Sequence, residues 1–258
     1  MNFAFMTHRG AIRPENQDAL SVAGGVRTGD MTSPEMLESG GYPLLLAVID
    51  GMGGYEGGAA AARILAETLS EAAIGRKFSD SEFDFESDEK VLRELLSTAA
   101  RLMGDAAAAD PRLARMGAAV GGVLLRSRSA LVFNCGDCRV YRVSGKEIER
   151  LSRDHSIVQI LFERGEIDED GMRTHPEKNI VTSAVSSDMD KDFELFVRGA
   201  SRCDGDSFFL CSDGVWEALD SKKLSEWMSR PLGASGGLFE ALLSSGCRDN
   251  VSFIWQAG

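Results

Sequence analysis

The sequence lacks most of the features that mark membrane, disulfide-linked or nucleic-acid-binding proteins. No apolar run approaches the roughly 18 residues of a transmembrane helix, and the first residues lack the apolar core of a signal peptide. The five cysteines are odd in number and their single CxxC pair has no counterpart, so neither a disulfide framework nor a zinc site is indicated. Lysine and arginine total 28 against 40 acidic residues, and the net charge of −12 argues against binding along a nucleic-acid backbone. We expect a reduced, cytoplasmic protein that binds neither nucleic acid nor membrane.

Short apolar runs dominate what the sequence does contain. Hydrophobic residues make up 43% of the 258 positions, which suffices for a substantial core. Runs bounded by turn-forming residues predict strands at 42–49, 118–125, 130–135, 139–143, 207–211 and 251–255. Helical spacing of apolar residues predicts helices over 56–73, 88–109 and 231–246. Because the three runs within 118–143 follow one another closely, we expect an antiparallel meander and an α+β fold. Residues 24–41 and the acidic stretch 79–89 are predicted loops.

Five aspartates share one local pattern, and four of them border predicted strands. Each stands beside glycine, asparagine or another small or polar residue, and they are Asp18, Asp50, Asp137, Asp213 and Asp249. Bare carboxylates brought together repel one another unless hard cations lie among them. Mg²⁺ and Mn²⁺ prefer such oxygen ligands. Asp-Gly is also a common turn dipeptide, so for any single site a turn is the alternative to a metal ligand.

The glycine-rich segment that follows Asp50, "VIDGMGGYEGGAAAA" (48–62), admits three interpretations: a phosphate-binding loop, a metal ligand or a turn. A phosphate-binding loop ends in Lys-Ser or Lys-Thr, and none is present here. The glycines also bunch together and do not fit the dinucleotide pattern GxGxxG. A metal ligand and a plain turn both stay open on these residues alone.

Read in order, six motifs form a set that covers the chain from about Gly10 to Trp255: "RPENQDA" (13–19), "VIDGMGG" (48–54), "GDCRVYR" (136–142), "LSRDHS" (151–156), "FFLCSDGVWEAL" (208–219) and "GCRDNVSF" (246–253). This set resembles the type 2C, metal-dependent PPM family of protein phosphatases in its compact bacterial form. The resemblance implies a single domain over 1–258 with a four-layer α-β-β-α sandwich. Two antiparallel β-sheets would be flanked by helices, with a small flap subdomain at about 153–178.

The resemblance also assigns roles to individual residues. Asp50 would bridge two ions, and the remaining metal positions would be Asp18, Gly51 through its carbonyl, Asp137, Asp213 and Asp249. Arg13 and Asp50 match the catalytic pair. Arg13 and Tyr55 match substrate-binding positions, and Gln17 and Asn250 would support the metal shell.

The implied activity is hydrolysis of phosphoserine and phosphothreonine in proteins by a water held between two Mn²⁺ or Mg²⁺ ions, with a third ion in bacterial members. A cognate bacterial Ser/Thr kinase would be the opposing partner, and the chain would act as a monomer. A phosphatase-like scaffold without turnover and a phosphatase of small metabolites are the alternatives. Two departures from the family pattern stand out: Gln17 replaces a common Glu, and Met52 replaces the His of eukaryotic members.

Overall fold

The computed structural model describes residues 1–53, 55–75, 78, 84–145, 147–188 and 192–258, with the side chain of Tyr55 outside that description. The strands are β1 (Asn2–His8), β2 (Asp18–Val22), β3 (Gly25–Thr28), β4 (Glu35–Glu38), β5 (Leu44–Met52), β6 (Gly117–Leu125), β7 (Ser129–Cys135), β8 (Arg139–Ser144), β9 (Glu147–Arg150), β10 (Val185–Ser186), β11 (Phe196–Ser201), β12 (Ser207–Cys211) and β13 (Val251–Ala257). The helices are α1 (Tyr55–Ile74), α2 (Phe85–Ala109), α3 (Ile157–Glu163), α4 (Glu169–Thr174), α5 (Asp213–Ala218), α6 (Ser221–Met228) and α7 (Ser235–Ser244).

These strands form two antiparallel sheets. The first has the order β4-β1-β13-β12-β8-β9, and the second has the order β11-β7-β6-β5-β2-β3, with β10 paired to one end of β6. An antiparallel sheet can bury both faces when a second sheet covers one face and helices cover the other. The predicted α+β sandwich of two antiparallel sheets is therefore confirmed.

Three apolar layers hold the sandwich together. The inner layer lies between the sheets and includes Phe3, Val48, Val123 and Phe208. A second layer packs α1 and α2 against the second sheet, and a third packs α5, α6 and α7 against the first sheet. Each fully buried leucine or phenylalanine contributes roughly 1.5–3 kcal/mol. No helix in the described ranges is both long enough and apolar enough to cross a membrane.

The predicted loop over 79–89 is wrong in its second half. Helix α2 begins at Phe85, where the Asp84 side chain accepts a hydrogen bond from the Ser87 backbone N–H and caps the first turn. Residues 79–83 lie outside the described part of the chain. The acidic composition that suggested a solvated loop instead suits a helix N-terminus, where negative charge is favourable.

The predicted loop over 24–41 is also wrong, because it contains β3 and β4. Both are four-residue edge strands with mostly exposed or half-buried side chains, so neither shows an apolar pattern. Strands β1 and β2 likewise fall outside the predicted runs. Their pairing with β13 and β5, rather than local sequence, defines them.

The predicted meander over 118–143 is half right. Strands β6 and β7 pair as a hairpin, whereas β8 crosses to the other sheet and pairs with β12 and β9. The crossing takes place at Gly136, whose φ of +106° favours glycine. A Cβ there would lie 2.3 Å from the Cβ of Ala119. Asp137 thus stands at the point where the chain passes between the sheets.

One buried ion pair ties α2 to the second sheet. Arg126 donates from Nη2 to both carboxylate oxygens of Asp88 at 2.8 Å, and the two side chains are 2% and 9% exposed. Burial raises the pKa of Asp88, and the Arg126 contact opposes that rise. Asp88 therefore depends on Arg126 to stay charged inside the protein.

We expect Arg126→Met to lower the free energy of unfolding by about 3–5 kcal/mol, because it leaves a buried carboxylate unpaired. The double variant Arg126→Met/Asp88→Leu should recover most of that loss, since it removes both charges. Urea unfolding monitored by circular dichroism measures both. Equal stability of the single variant and the wild type would contradict the pairing.

Candidate active site

An open cavity of about 720 Å³ lies at one end of the sandwich, between the β1–β2 loop, the end of β5 and the segment after α4. Eight of the sequence-predicted residues line it, namely Arg13, Gln17, Asp50, Gly51, Asp137, Asp213, Asp249 and Asn250. Asp18 does not line the cavity, but it pairs with Asp50, which does, across strands β2 and β5. The fold thus brings together residues that are far apart in the chain, such as Arg13 and Asp249, which are separated by 236 positions.

Asp18 and Asp50 form one pair of opposed acids in the site. They face each other across the antiparallel strands β2 and β5, an arrangement that is unfavourable for two like charges. Asp18 is 2% exposed, and burial raises its pKa to about 7. One of its oxygens, Oδ2, accepts a hydrogen bond from Ser212 Oγ at 2.8 Å. The other, Oδ1, is buried without a hydrogen-bond partner among the described residues.

The other acids of the cavity share this electrostatic stress. Burial, followed by the charge of Asp18, raises the pKa of Asp50 well above its ordinary value. Burial and the charge of Asp137 do the same to the pKa of Asp213. Burial raises the pKa of Asp137 to about 7. Without cations these carboxylates cannot all be ionised at neutral pH.

Two hydrogen bonds to side chains fix the backbone at Asp137 and at the preceding Gly136. The Trp216 indole Nε1 donates to the Asp137 carbonyl at 3.0 Å. The Gly136 N–H donates to Nδ1 of His155 at 3.0 Å, and burial lowers the pKa of His155, which keeps this nitrogen an acceptor. Trp216 and Asp213 belong to the same short helix, α5. The placements of the two carboxylates are therefore linked.

Asp249 is paired with Arg13 rather than standing free. Arg13 Nε lies 3.0 Å from Asp249 Oδ1, and Nη2 lies 2.5 Å from Oδ2, so the contact is bidentate. This hydrogen bonding raises the pKa of Arg13. About half of the Arg13 side chain is exposed to the cavity. Asp249 thus holds the guanidinium at the mouth of the site.

Asn250 fastens the loop that carries Arg13. Its Oδ1 accepts from the Gln17 backbone N–H at 2.9 Å, and its Nδ2 donates to the carbonyls of Arg9 and Glu15 at 3.1 and 3.0 Å. The Gln17 side chain donates to Glu15 at 3.2 Å. Gln17 and Asn250, the two predicted supporting residues, therefore both take part in the hydrogen bonds that anchor this loop.

The start of α1 packs directly on Gly51. A Cβ at Gly51 would lie 2.1 Å from the Gly58 carbonyl oxygen and 2.6 Å from that of Gln17, so only glycine fits. Tyr55 is the first residue of α1. Its side chain lies outside the described residues, and its predicted contact with substrate stays a prediction.

The donor set fits hard divalent cations. Every candidate ligand offers oxygen, which Mg²⁺ and Mn²⁺ prefer. In the described ranges no three His, Cys, Asp or Glu side chains form a compact ligand group. Ions here would therefore complete their coordination shells with water beside these carboxylates, as Mg²⁺ commonly does. The partnerless Asp18 oxygen and the facing Asp50 supply the unsatisfied negative charge that such ions would neutralise.

Sequence reasoning missed part of the cavity wall and two supporting residues. Asn179, Ile180 and Val181 line the cavity, although the predicted flap ends at 178. A bridge between Ser156 and Val181 brings this segment over the site. His155 and Ser212, which contact Gly136 and Asp18, stand inside the motifs "LSRDHS" and "LCSDG". The position of Ser212 directly before Asp213 was the available signal for that residue.

Comparison with known proteins agrees with this geometry. A family model described as Protein phosphatase 2C matches residues 24–237, well over half of the chain. The chain belongs to the protein phosphatase 2C family. A curated relative, the serine/threonine phosphatase stp of Listeria monocytogenes, is 27% identical over 257 residues, which cover 98% of this chain and 94% of the relative.

Solved structures show the same family fold. Stp1 from Staphylococcus aureus superposes with a TM-score of 0.79 at 24% identity, covering 99% of this chain and 94% of that one. The catalytic domain of PstP, solved in complex with two manganese ions, gives a TM-score of 0.72 at 23% identity, with 99% and 97% covered. At these identities the likeness establishes the phosphatase 2C fold alone.

The buried acids of this phosphatase 2C chain predict an unusual pH dependence in EDTA. Folding raises the pKa of Asp18 and Asp137 from an ordinary value near 3.8 to about 7. The folded state then keeps protons that the unfolded state has released, so the free energy of unfolding should fall as the pH rises from about 5.5 to 7.5. Urea unfolding in EDTA across this range measures it.

The variant Asp18→Asn serves as the control, because it removes one of the shifted carboxylates. Its unfolding free energy should depend less steeply on pH than that of the wild type. A wild-type stability that is flat, or that increases with pH over this window, would contradict the predicted burial of protonated acids.

Proposed function

We propose that this chain is a metal-dependent protein serine/threonine phosphatase that hydrolyses phosphoserine and phosphothreonine. The observation that carries the proposal is the gathering of Asp50, Asp137, Asp213 and Asp249 around one open cavity, with an arginine at its mouth. Family membership and the names of its relatives support the same activity. A silent scaffold is not favoured, because scaffold members usually lose the metal acids and this chain keeps them.

Each acid has a proposed place around the ions. Asp50, the Gly51 carbonyl, Asp213 and Asp249 would hold a pair of Mn²⁺ or Mg²⁺ ions, with Asp18 supporting them from behind. Asp137 would join Asp213 in holding a third. When bound, such ions lower the pKa of water and neutralise phosphate charge. The buried, repelling acids of the structure favour this occupancy, since cations relieve their repulsion.

Arg13 is the proposed phosphate-binding residue. Its guanidinium presents two parallel N–H groups, as the bidentate contact with Asp249 demonstrates, and the same fork matches two phosphate oxygens. We propose that Arg13 transfers from Asp249 to the substrate phosphate when Asp249 turns to a cation. The arginine would then orient the phosphoryl group and balance its charge. Tyr55 is proposed to contact the substrate from the start of α1.

No protein side chain is needed as nucleophile. Cys138 lies near the site, but burial, together with the charge of Asp50, raises the pKa of its thiol far above neutrality. A buried thiol of this kind is inert, because the reactive form is the thiolate. Met52, at the position where eukaryotic members carry histidine, cannot donate a proton. Solvent is therefore the proposed proton source for the leaving serine or threonine.

The proposed partners follow from this chemistry. The substrates would be phosphorylated proteins, and the opposing enzyme a bacterial Ser/Thr kinase. We propose that residues 1–258 act as one catalytic domain, as a cytoplasmic monomer, with the flap over about 153–178 selecting the substrate. The open cavity supports a protein substrate over a small metabolite, because a phosphorylated side chain on a polypeptide can reach into it from outside.

Purified protein should hydrolyse a phosphothreonine peptide and p-nitrophenyl phosphate with Mn²⁺, and EDTA should stop the reaction. We expect Asp213→Asn to lower kcat/KM by roughly 100-fold or more, because it removes charge that positions the ions. Asp105→Asn, an exposed acid on α2, is the matched control and should retain wild-type rates. Full activity of Asp213→Asn, or activity in EDTA, would contradict the mechanism.

Arg13→Ala should raise the KM for a phosphopeptide by about 10-fold or more, since charge-assisted hydrogen bonds to phosphate are lost. Arg13→Lys should recover only part of it, because an ammonium lacks the planar fork. Steady-state kinetics measure KM, and calorimetry measures Mn²⁺ affinity. Mn²⁺ affinity should be retained or increased, as Asp249 is freed. An unchanged KM in both variants would contradict the assigned role.

A further inference from the structure

The 720 Å³ cavity lined by the aspartates is called the metal cavity below. A second, smaller cavity of about 300 Å³ lies next to it, between the end of α4, the helix α5 and the segment before β13. We call it the basic pocket and define it by Arg173, Lys178, Glu217 and Arg248, with Gly214 at its edge. None of these residues has a part in the proposed phosphate chemistry.

The pocket is built on fixed contacts. Arg173 donates from Nε and Nη2 to the Glu217 carbonyl oxygen at 3.3 and 3.1 Å. Lys178 forms an ion pair with the Glu217 carboxylate, and these two side chains are 26% and 16% exposed. The chain segment around α4 is thereby fastened to α5. These partly buried contacts of Arg173 and Lys178 with Glu217 therefore hold the pocket walls in place.

The basic pocket directly adjoins the proposed catalytic acids. Gly214 follows Asp213, and Arg248 precedes Asp249, so each border residue lies one Cα spacing of about 3.8 Å from an acid of the metal cavity. An extended peptide advances about 3.3–3.6 Å per residue. The step from the phosphorylated residue to one that is one or two positions away is comparable with this spacing.

The charge of the pocket opposes that of the whole chain. Three cations meet one carboxylate, so the pocket carries two net positive charges in a protein whose net charge is −12. Asp170 pairs with Arg173 at 3.1 Å from an exposed position outside the pocket. Arg248 is exposed and donates no hydrogen bond to any residue in the described ranges. Its guanidinium is available to a ligand.

We propose that the basic pocket binds a second anionic group of the substrate, the carboxylate or phosphate of a residue one or two positions from the scissile phosphoserine or phosphothreonine. This inference rests on the proposed function and adds a sequence preference to it. Arg248 makes the direct ion pair, while Lys178 and Arg173 supply the surrounding positive potential. An acidic enzyme thereby retains acidic phosphopeptides next to its ions.

The test compares kcat/KM for phosphothreonine peptides that differ only at the neighbouring positions, with Gln, Lys, Glu or a non-hydrolysable phosphonate analogue of phosphoserine. With Mn²⁺ present, the wild type should prefer the Glu peptide to the Gln peptide by about threefold to fivefold, as for a partly exposed ion pair. A larger preference for the phosphonate peptide would identify phosphate as the better ligand. The preference should weaken as salt screens the pair.

Arg248→Gln should remove the preference between the Glu and Gln peptides, and Arg248→Glu should reverse it in favour of Lys. Because the readout is a ratio within each variant, a general loss of rate does not affect it. Arg128→Gln is the matched control. Arg128 is an exposed arginine in the β6–β7 turn, at the opposite end of β6 from Ala119, which pairs with Asp50. This variant should keep the wild-type ratio.

Equal kcat/KM for the Glu, Gln and Lys peptides in the wild type would overturn the inference, and so would a preference that survives both Arg248 substitutions. Absence of hydrolysis for every peptide would contradict the proposed function instead. In that case fluorescence anisotropy of the same labelled peptides still decides whether the protein binds the acidic ones through Arg248.

Discussion

The repulsion between buried carboxylates at one end of the sandwich is the constraint on which the site depends. Asp18 and Asp50 face each other across two central strands, and the pairing of β2 with β5 fixes their backbone positions. Asp213 and Asp137 add further charge from the other sheet and from the crossing between the sheets. The folded sandwich therefore needs protons or cations at this edge to offset the repulsion. The proposed chemistry uses cations bound there.

The surrounding polar contacts set where each acid stands. Ser212 donates to Asp18, Trp216 donates to the carbonyl of Asp137, and Asn250 anchors the loop that carries Arg13. These contacts link the end of β12 to β2, α5 to the crossing between β7 and β8, and the segment before β13 to the β1–β2 loop. Since the fold layers hold these elements rigidly through their apolar faces, the acids are preorganised before any ion or substrate arrives. The pairing of Arg13 with Asp249 belongs to the same arrangement, because it keeps the phosphate-binding group at the cavity mouth.

Much of the fold was predictable from local patterns. Strands β5, β6, β7 and β12 are largely buried on both faces, so their apolar runs are continuous and visible. The short edge strands β3 and β4 carry no such pattern, since each has a neighbouring strand on one side only and is largely exposed to solvent. The transfer of β8 to the other sheet was not predictable either, because hairpin and crossing share the same short connection at Gly136.

By itself the sequence determined the kind of chemistry. Its repeated Asp-Gly and Asp-Asn contexts favour hard-cation ligands, and the resemblance carried by its ordered motifs implies a phosphate-binding arginine, because those residue types suit oxygen-liganded ions and phosphate. Only the tertiary structure decided which acids oppose one another, that Arg13 rests on Asp249, and that Asn179 to Val181 cover the cavity. The basic pocket beside the cavity of acids likewise exists only in three dimensions. These are contacts between residues far apart in the chain, and strand register and helix packing, which no local pattern encodes, bring them together.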